Sequence, residues 1–266
     1  MSPKKVNTFV HKYEESLSAS AAQITLRFDV DKVHDFRTTV KKMRALLRWL
    51  GGSKRPLTGS FTEVYHLSGE LRNAQILLKD KETEKEELAG FRNWLSATVT
   101  RLEEEWYKKY DPRVLRRLCK KIERSGYKKA NRRTIHQFFR KRVNRIRGIL
   151  FLSPPPDEEL HDVRKMLKDM QYVYAWGEKK ELVNKGPTLD TLKQVGQQAG
   201  SFNDRRIAIQ LLTTYLEEEK PEEPSLSVLL ATKQKWEEAK EQQKRDLIET
   251  LKGFQRAWEL RQLSGI

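Results

Sequence analysis

The feature that most constrains this chain is a phrase that occurs twice. The first copy, VHDFRTTVKKMRALLRWL, begins at Val33, and a similar one, LHDVRKMLKDMQYVYAW, begins at Leu160. Both place a histidine and an aspartate ahead of cations and apolar residues at helical spacing. The copies match at one offset of 127 residues, in the pairs His34/His161, Asp35/Asp162, Arg37/Arg164, Lys41/Lys168, Met43/Met170 and Trp49/Trp176. The repeat predicts a helical fold built from two related halves.

Composition supports a purely helical chain. Glycine and proline number only 13 and 9 in 266 residues, and 34% of residues are charged, which is typical of long amphipathic helices. Turn-forming runs such as GGSKRP, SPPP and EEEKPEEP divide the chain into segments. The predicted fold class is therefore all-α. The predicted helices cover about 4–26, 29–50, 58–79, a segment ending near 110, 112–124, 128–150, a segment carrying the second phrase, 188–216 and 225–262.

The helices around each phrase also correspond. SGELRNAQILL at 68–78 resembles AGSFNDRRIAIQLL at 199–212, and His11 and His136 precede their phrases by similar distances. Each half then has four helices, a number that can enclose a bundle core. The predicted sub-bundles cover about 5–110 and 126–262, and a short helix at about 111–125 connects them.

The charge distribution points to a polyanionic partner. The chain has 53 Lys and Arg against 37 Asp and Glu, for a net charge of +16. Between Pro112 and Leu152 there are fifteen Lys and Arg and one acid, Glu123, so this stretch alone carries +14. Such a concentration favours nucleic acid, an anionic membrane or inorganic polyphosphate as partner.

Other function classes lack a signature. The single cysteine, Cys119, excludes an internal disulfide framework and suits a reducing cytoplasm, where we expect a buried, unreactive thiol. The N-terminus lacks the apolar region of a signal peptide, and no apolar run is long enough to cross a membrane. Metal-ligand spacings, nucleotide-binding loops, nucleophile motifs and paired carboxylates are absent. The sequence predicts a soluble, cytoplasmic protein that is not an enzyme and has no metal or cofactor.

The first phrase places its cations on one face of a helix. At 100° per residue, a single arc of about 80° contains five side chains, namely His34, Arg37, Lys41, Arg44 and Arg48. A neighbouring apolar arc would face the core. The second copy repeats the arrangement with His161, Arg164 and Lys168, but Gln171 replaces the arginine. Cations at each turn of about 5 Å suit a chain of closely spaced phosphates.

Further candidates lie on the helix before the second phrase. Lys129, Arg133, His136, Arg140 and Arg147 share one face of it. Each cation ladder also has a simpler interpretation as a solvated helix surface, and each histidine as a packing or capping residue. Asp35 and Asp162 are expected in the first turns of their helices, where the helix dipole favours an anion, or paired with an arginine.

The His-Asp-x-Arg phrases with their downstream cations resemble the CHAD (conserved histidine α-helical domain) family. LRNAQILL and FNDRRIAIQLL resemble that family's second phrase. The resemblance covers about 5–262 as a single domain. It implies two four-helix bundles related by pseudo-twofold symmetry, with a basic groove that binds long-chain inorganic polyphosphate without catalysis. It also implies association with polyphosphate granules or with an enzyme that metabolises polyphosphate or triphosphate.

The resemblance and the helical faces together give one set of predicted polyphosphate contacts: His11, His34, Arg37, Lys41, Arg44, Arg48, Lys129, Arg133, His136, Arg140, Arg147, His161, Arg164 and Lys168. Two positions depart from the family pattern. Gln171 stands where a cation is expected, and Asn73 stands where aspartate is expected. Binding of nucleic acid, chiefly RNA, and service as a regulatory subunit of a phosphohydrolase remain the alternatives.

Overall fold

The computed structural model describes residues 3–51, 59–123, 130–183 and 187–263. Within these residues every regular element is helical, which confirms the all-α prediction. The α-helices are α1 (Pro3–Arg27), α2 (Val30–Leu50), α3 (Ser60–Leu78), α4 (Ala89–Lys109), α5 (Pro112–Glu123), α6 (Arg132–Leu150), α7 (Asp157–Lys179), α8 (Pro187–Glu219) and α9 (Ser225–Leu263), and a short 3-10 helix covers Glu86–Leu88.

Local capping explains several of the helix limits. The Asp29 side chain accepts hydrogen bonds from the backbone N–H groups of Asp31 and Lys32, and these bonds lower the pKa of Asp29. Gly51 ends α2 in the left-handed conformation, at φ 71°, which glycine adopts without strain. Asn131 and Thr134 form a reciprocal capping box at the start of α6.

The helices form two compact units. Unit 1 comprises Met1–Lys128 with Ile207–Trp236, and unit 2 comprises Lys129–Arg206 with Glu237–Ile266. Unit 1 thus includes α5, whose five buried side chains enter the same core as Phe36 and Trp106. The halves predicted from the sequence divide the chain differently, at about 5–110 and 126–262, and their pseudo-twofold relation stays a prediction.

Unit 1 holds two apolar clusters. The first surrounds Phe36, whose ring meets Trp106 edge-on with centroids 5.7 Å apart. The second surrounds Phe91 and Leu212, and there the indole N–H of Trp236 donates to Glu82 at 2.9 Å. The apolar arc predicted on α2 is buried, as its pattern requires. This packing fixes which face of α2 remains outside the core.

Unit 2 combines an aromatic core with buried ion pairs. The ring of Phe139 lies 6.1 Å from that of Tyr174 and 5.7 Å from that of Trp258. Arg142 and Asp169, both largely buried, pair at 3.1 Å. Since a charge that loses its partner inside a protein is strongly destabilising, this pair fixes how α6 packs on α7.

Candidate functional site

Arg37 connects α2 to α3. Its Nη1 donates to the backbone carbonyl oxygen of Tyr65 at 2.7 Å and to the Ser68 hydroxyl at 3.1 Å. Gly69 makes this approach possible, because a Cβ atom there would lie only 2.6 Å from Arg37 Nη1. Arg37 therefore stabilises the α2–α3 packing in addition to carrying charge.

The Tyr65 ring lies beneath two cations of α2. The guanidinium carbon of Arg37 is 4.7 Å from the ring centroid, and that of Arg44 is 5.3 Å from it. Cations over an aromatic face are attracted by its quadrupole. Lys41, half-buried, occupies the intervening turn, and Arg48 is exposed one turn further on. The tyrosine thus offsets part of the repulsion within the row.

His34 is the first residue of this row. Partial burial of the ring lowers its pKa, and the positive charges of Arg72 and Lys41 lower it further. Its Nε2 lies 3.2 Å from the Thr38 hydroxyl. We call His34, Arg37, Lys41, Arg44 and Arg48 the α2 basic face. Arg72, on α3, adds a further cation near His34. The sequence analysis did not select Arg72, although it lies in LRNAQILL, which resembles the family's second phrase.

The matching residues of α7 make different contacts. His161 Nδ1 donates to Oδ1 of Asn203 on α8 at 2.6 Å, and Arg206 approaches the same oxygen at 3.5 Å. Burial lowers the pKa of His161, and the nearby charge of Lys165 lowers it further. Both histidines therefore lie near cations, but His161 is held by a buried amide of α8, whereas His34 contacts Thr38 of its own helix.

Gln171 forms a second contact between α7 and α8, and Lys168, also on α7, hydrogen-bonds to it. Lys168 Nζ donates to Gln171 Oε1 at 3.1 Å, and Gln171 Nε2 donates to the backbone carbonyl oxygen of Leu192. Burial lowers the pKa of Lys168, and the charge of Arg164 lowers it further. Gln171 is 7% exposed, so it serves the packing of the two helices and is not a surface substitute for arginine.

A pocket of about 430 Å³ opens beside these residues. We call it the α7–α8 pocket. Its charged and polar lining residues include Arg164, Lys168 and Gln171 from α7 and Lys193, Ser201 and Asp204 from α8. The sequence did not single out Lys193, which belongs to no repeated phrase, or Ser201, which lies in AGSFNDRRIAIQLL but carries no charge.

The predicted cations of α6 divide into exposed and paired ones. Arg133 and Arg140 are exposed. The His136 ring stacks on that of Trp258 with centroids 6.4 Å apart, and Arg147 pairs with Glu259 at 3.7 Å. Part of the positive charge of this segment is therefore neutralised within unit 2. Lys129, predicted on the same face, lies outside the described residues.

His11 faces carboxylates. Its Nε2 lies 3.2 Å from Glu123 on α5, and its Nδ1 lies 3.8 Å from Glu14. Because these acids would repel a bound polyanion, His11 has the weakest structural case among the predicted contacts. The single acid of the +14 segment is thus used to pair α5 with α1.

The prediction that the two aspartates lie in the first turns of their helices is wrong. The acidic residue in the first turn of α2 is Asp31, and those of α7 are Asp157, Glu158 and Glu159. Asp35 and Asp162 lie one turn later, because both helices begin before the phrases. Asp162 pairs with Lys165, not with an arginine. Asp157 accepts from Lys240 and Lys244 at 2.9 and 2.6 Å.

Three further sequence expectations concern other kinds of site. Cys119 is buried, and burial raises the pKa of its thiol to about 12, so the expected inert thiol is confirmed. Across residues 3–51, 59–123, 130–183 and 187–263, no group of three His, Cys, Asp or Glu side chains is placed to hold a metal ion. In that same part of the chain, no helix combines the length and apolarity needed to cross a membrane.

Fold and site define an all-helical domain with cationic helix faces, and comparison with known proteins assigns it to a family. The family profile of the CHAD domain matches residues 13–176. The chain therefore belongs to the CHAD domain family, which is linked to polyphosphate binding. A search of curated protein sequences finds no match.

Solved structures share the fold. The crystal structure of the CHAD domain from the plant Ricinus communis matches with a TM-score of 0.74 and 11% identity, over 96% of this chain and 91% of that one. PptA from Streptomyces chartreusis matches with a TM-score of 0.58 and 15% identity, over 94% of this chain and 99% of that one. At these identities the similarity concerns the fold.

Proposed function

We propose that this protein binds long-chain inorganic polyphosphate, and that the α2 basic face is its principal contact surface. The observation that carries the proposal is the row formed by Arg37, Lys41 and Arg44, in which the two arginines share the Tyr65 ring. The row repeats a positive charge at each helical turn of about 5 Å. A polymer with a negative charge on every unit neutralises such a row without needing a fixed register.

The remaining predicted contacts differ in how accessible they are to a polyanion. Arg133 and Arg140 are exposed cations on α6 and can meet a polyanion directly. Arg164 and Lys168 line the α7–α8 pocket. His11, His136 and Arg147 already contact other side chains, so binding through them would require those contacts to change.

We propose a binding role without catalysis. The cationic side chains described above bind and orient phosphate groups, and none of them faces an arrangement of carboxylates that would hold activating metal ions. The same proposal places the protein in the cytoplasm, at polyphosphate granules or beside an enzyme that metabolises polyphosphate or triphosphate. Such an enzyme would have its substrate close by, because this protein would hold the polymer next to it.

The test is a set of parallel titrations with long-chain polyphosphate, single-stranded RNA, duplex DNA and ATP, each at a low salt concentration and at about 0.15 M salt. We expect polyphosphate to bind with micromolar or tighter affinity and to remain bound at the higher salt, where RNA dissociates. RNA or DNA binding as strongly as polyphosphate at the higher salt would replace this proposal with a nucleic-acid-binding function.

A further inference from the structure

The α7–α8 pocket differs from the α2 basic face in how its charges are arranged. On α2 the cations follow one another along a helix. In unit 2, side chains from two helices surround one cavity of about 430 Å³, a size within the range of small-ligand sites. Charges that converge from two sides fit one compact group better than they fit an extended chain.

One polar atom of the pocket side chains lacks a protein acceptor. The Nε of Arg164 is buried, and it hydrogen-bonds to no residue that the structure describes. A buried donor without an acceptor is destabilising. Arg164 and Lys168 also lie close enough that the charge of the first lowers the pKa of the second. An anion in the pocket would offset the repulsion between these two cations.

Gly200 keeps part of the cavity open. A Cβ atom at Gly200 would meet nothing within 4 Å, whereas the space beside Gly69 in unit 1 is filled by the Arg37 guanidinium. Each glycine stands four residues before the polar residue of its phrase, Asn73 or Asp204. In unit 1 an arginine therefore occupies the space next to the glycine, and in unit 2 that space is vacant.

We infer that the α7–α8 pocket binds a terminal phosphate group, supplied either by the end of a polyphosphate chain or by a free short oligophosphate. This inference deepens the proposed function, on which it rests. A terminal phosphate offers three non-bridging oxygens and up to two negative charges, whereas an internal phosphate offers two such oxygens and one charge. Arg164, Lys168 and Lys193 bring three cations to one cavity, which matches the terminal group, and the Lys193 ammonium also lies 3.1 Å from the Asp190 carboxylate.

Asp204 limits the affinity of this pocket. Its carboxylate lines the same cavity and would repel the phosphate. The net charge of the titratable lining residues is therefore +2, from Arg164, Lys168 and Lys193 against Asp204. Asp204→Asn should bind triphosphate several-fold more tightly, because it removes the one negative charge and keeps the shape.

The experiment measures binding by calorimetry with three ligands: inorganic triphosphate, long-chain polyphosphate, and long-chain polyphosphate whose ends are capped as phosphoramidates. The pocket variants are Lys168→Gln and Gly200→Leu. Gly148→Leu is the control, since Gly148 also has open space around its Cβ position but lies on α6. Thermal unfolding of each variant verifies that it is folded before it is titrated.

We expect both pocket variants to lose about tenfold or more in triphosphate affinity, the loss of one charge-assisted contact or more. Gly148→Leu should bind triphosphate as the wild type does. If a chain end is the ligand, capping weakens wild-type binding of long polyphosphate but does not affect Gly200→Leu. If a free oligophosphate is the ligand, capping changes nothing while the pocket variants still lose triphosphate binding.

Two failures are distinguishable. If long polyphosphate binds but neither pocket variant changes triphosphate affinity or the effect of capping, the pocket assignment is overturned and the proposed function stands. If triphosphate binds in the pocket but long polyphosphate does not bind at all, the proposed function is overturned and the pocket is assigned to free oligophosphate. If neither ligand binds, both are wrong.

Discussion

The α2 basic face and the α7–α8 pocket come from the same repeated phrase, yet their side chains are used differently. In unit 1, Arg37 fills the space beside Gly69, and Arg44 lies over Tyr65. In unit 2, Gln171 replaces the second arginine and hydrogen-bonds to the backbone of α8. Two replacements at the offset of 127, Gln171 for Arg44 and Ala175 for Arg48, thus accompany the change from a row of cations to a pocket.

The difference teaches that one repeated phrase can make different contacts in two parts of the same chain. His34 lies among cations, but His161 donates to the buried amide of Asn203. Both histidines have a lowered pKa, for which burial is the first cause in each case. The same phrase therefore gives similar protonation behaviour and different hydrogen bonding.

The largest expected effect is a loss of polyphosphate affinity when the α2 basic face loses its charge. The triple variant Lys41→Gln, Arg44→Gln and Arg48→Gln should bind long-chain polyphosphate about 100-fold more weakly, since each charge-assisted contact contributes roughly 1 kcal/mol at a solvated surface. Arg37 is kept, because its hydrogen bonds to α3 stabilise the fold. Isothermal titration calorimetry measures the change.

A matched control removes the same charge from another part of unit 1. Lys85, Arg92 and Lys108 are exposed and lie outside every predicted contact. Replacing these three with glutamine should weaken polyphosphate binding by only a few-fold, through the general loss of positive potential. Equal losses in the two triple variants would mean that total charge, and not the α2 basic face, determines binding.

The next effect concerns the position at which the first phrase has Arg44 and the second has Gln171. Gln171→Arg should destabilise the protein by about 2 kcal/mol, because a longer, charged side chain must enter a buried site beside Gly196. The reciprocal Arg44→Gln should change stability by less than about 1 kcal/mol. Denaturant unfolding of both variants provides the comparison. A stable Gln171→Arg protein with higher polyphosphate affinity would show that the two faces are interchangeable.

The two glycines should respond oppositely to alanine. Gly69→Ala should lower stability by about 1 kcal/mol, because the new Cβ displaces the Arg37 guanidinium and its hydrogen bonds, at a cost larger than the gain in helix propensity. Gly200→Ala should raise stability by about 0.5–1 kcal/mol, since its Cβ meets open space. Thermal unfolding reports both shifts, and shifts of equal sign would contradict the difference in packing.

The smallest effect is a dependence on pH. Both histidines have a folded-state pKa below the ordinary value of 6.5, so the unfolded chain takes up their protons first as the pH falls. Their contribution to stability is therefore present above pH 6.5 and is lost as the pH falls toward the folded-state pKa. The double variant His34→Gln and His161→Gln should lose less stability than wild type between pH 7.5 and 5.5.

Nuclear magnetic resonance titration of the ring nitrogens checks the same pKa values directly. In the free protein both should lie below 6.5. Bound polyphosphate should raise the pKa of His34, because the negative charges offset those of Arg72 and Lys41. A pKa for His34 that polyphosphate does not change would remove this histidine from the contact surface.

Helical periodicity, together with the glycine- and proline-containing breaks, predicted the fold class and most of the helices. The end of α2 at Leu50 and the start of α5 at Pro112 were foreseen, because glycine and proline mark them in the sequence. The packing of α5 into the core of unit 1 was not, since five buried side chains on a short basic helix do not reveal which neighbour they meet.

The candidate site was predicted less completely. The helical arc identified the α2 basic face but not the anchoring of Arg37 on α3, which depends on a glycine 32 positions later in the chain. Gln171 was interpreted as a missing cation, whereas it is a buried hydrogen-bonding residue. Such roles depend on a second helix, and the spacing of residues within one helix carries no information about it.

The central claim is that the α2 cations contact phosphate directly, and the salt dependence of binding tests it most directly. Each phosphate contact that is removed lowers the slope of log affinity against log salt by about 0.7–0.9. For Lys41→Gln, Arg44→Gln and Arg48→Gln we predict a slope smaller than that of wild type by about 2–3. For the matched variant at Lys85, Arg92 and Lys108 we predict no comparable change. A wild-type slope in the α2 variant would contradict the account.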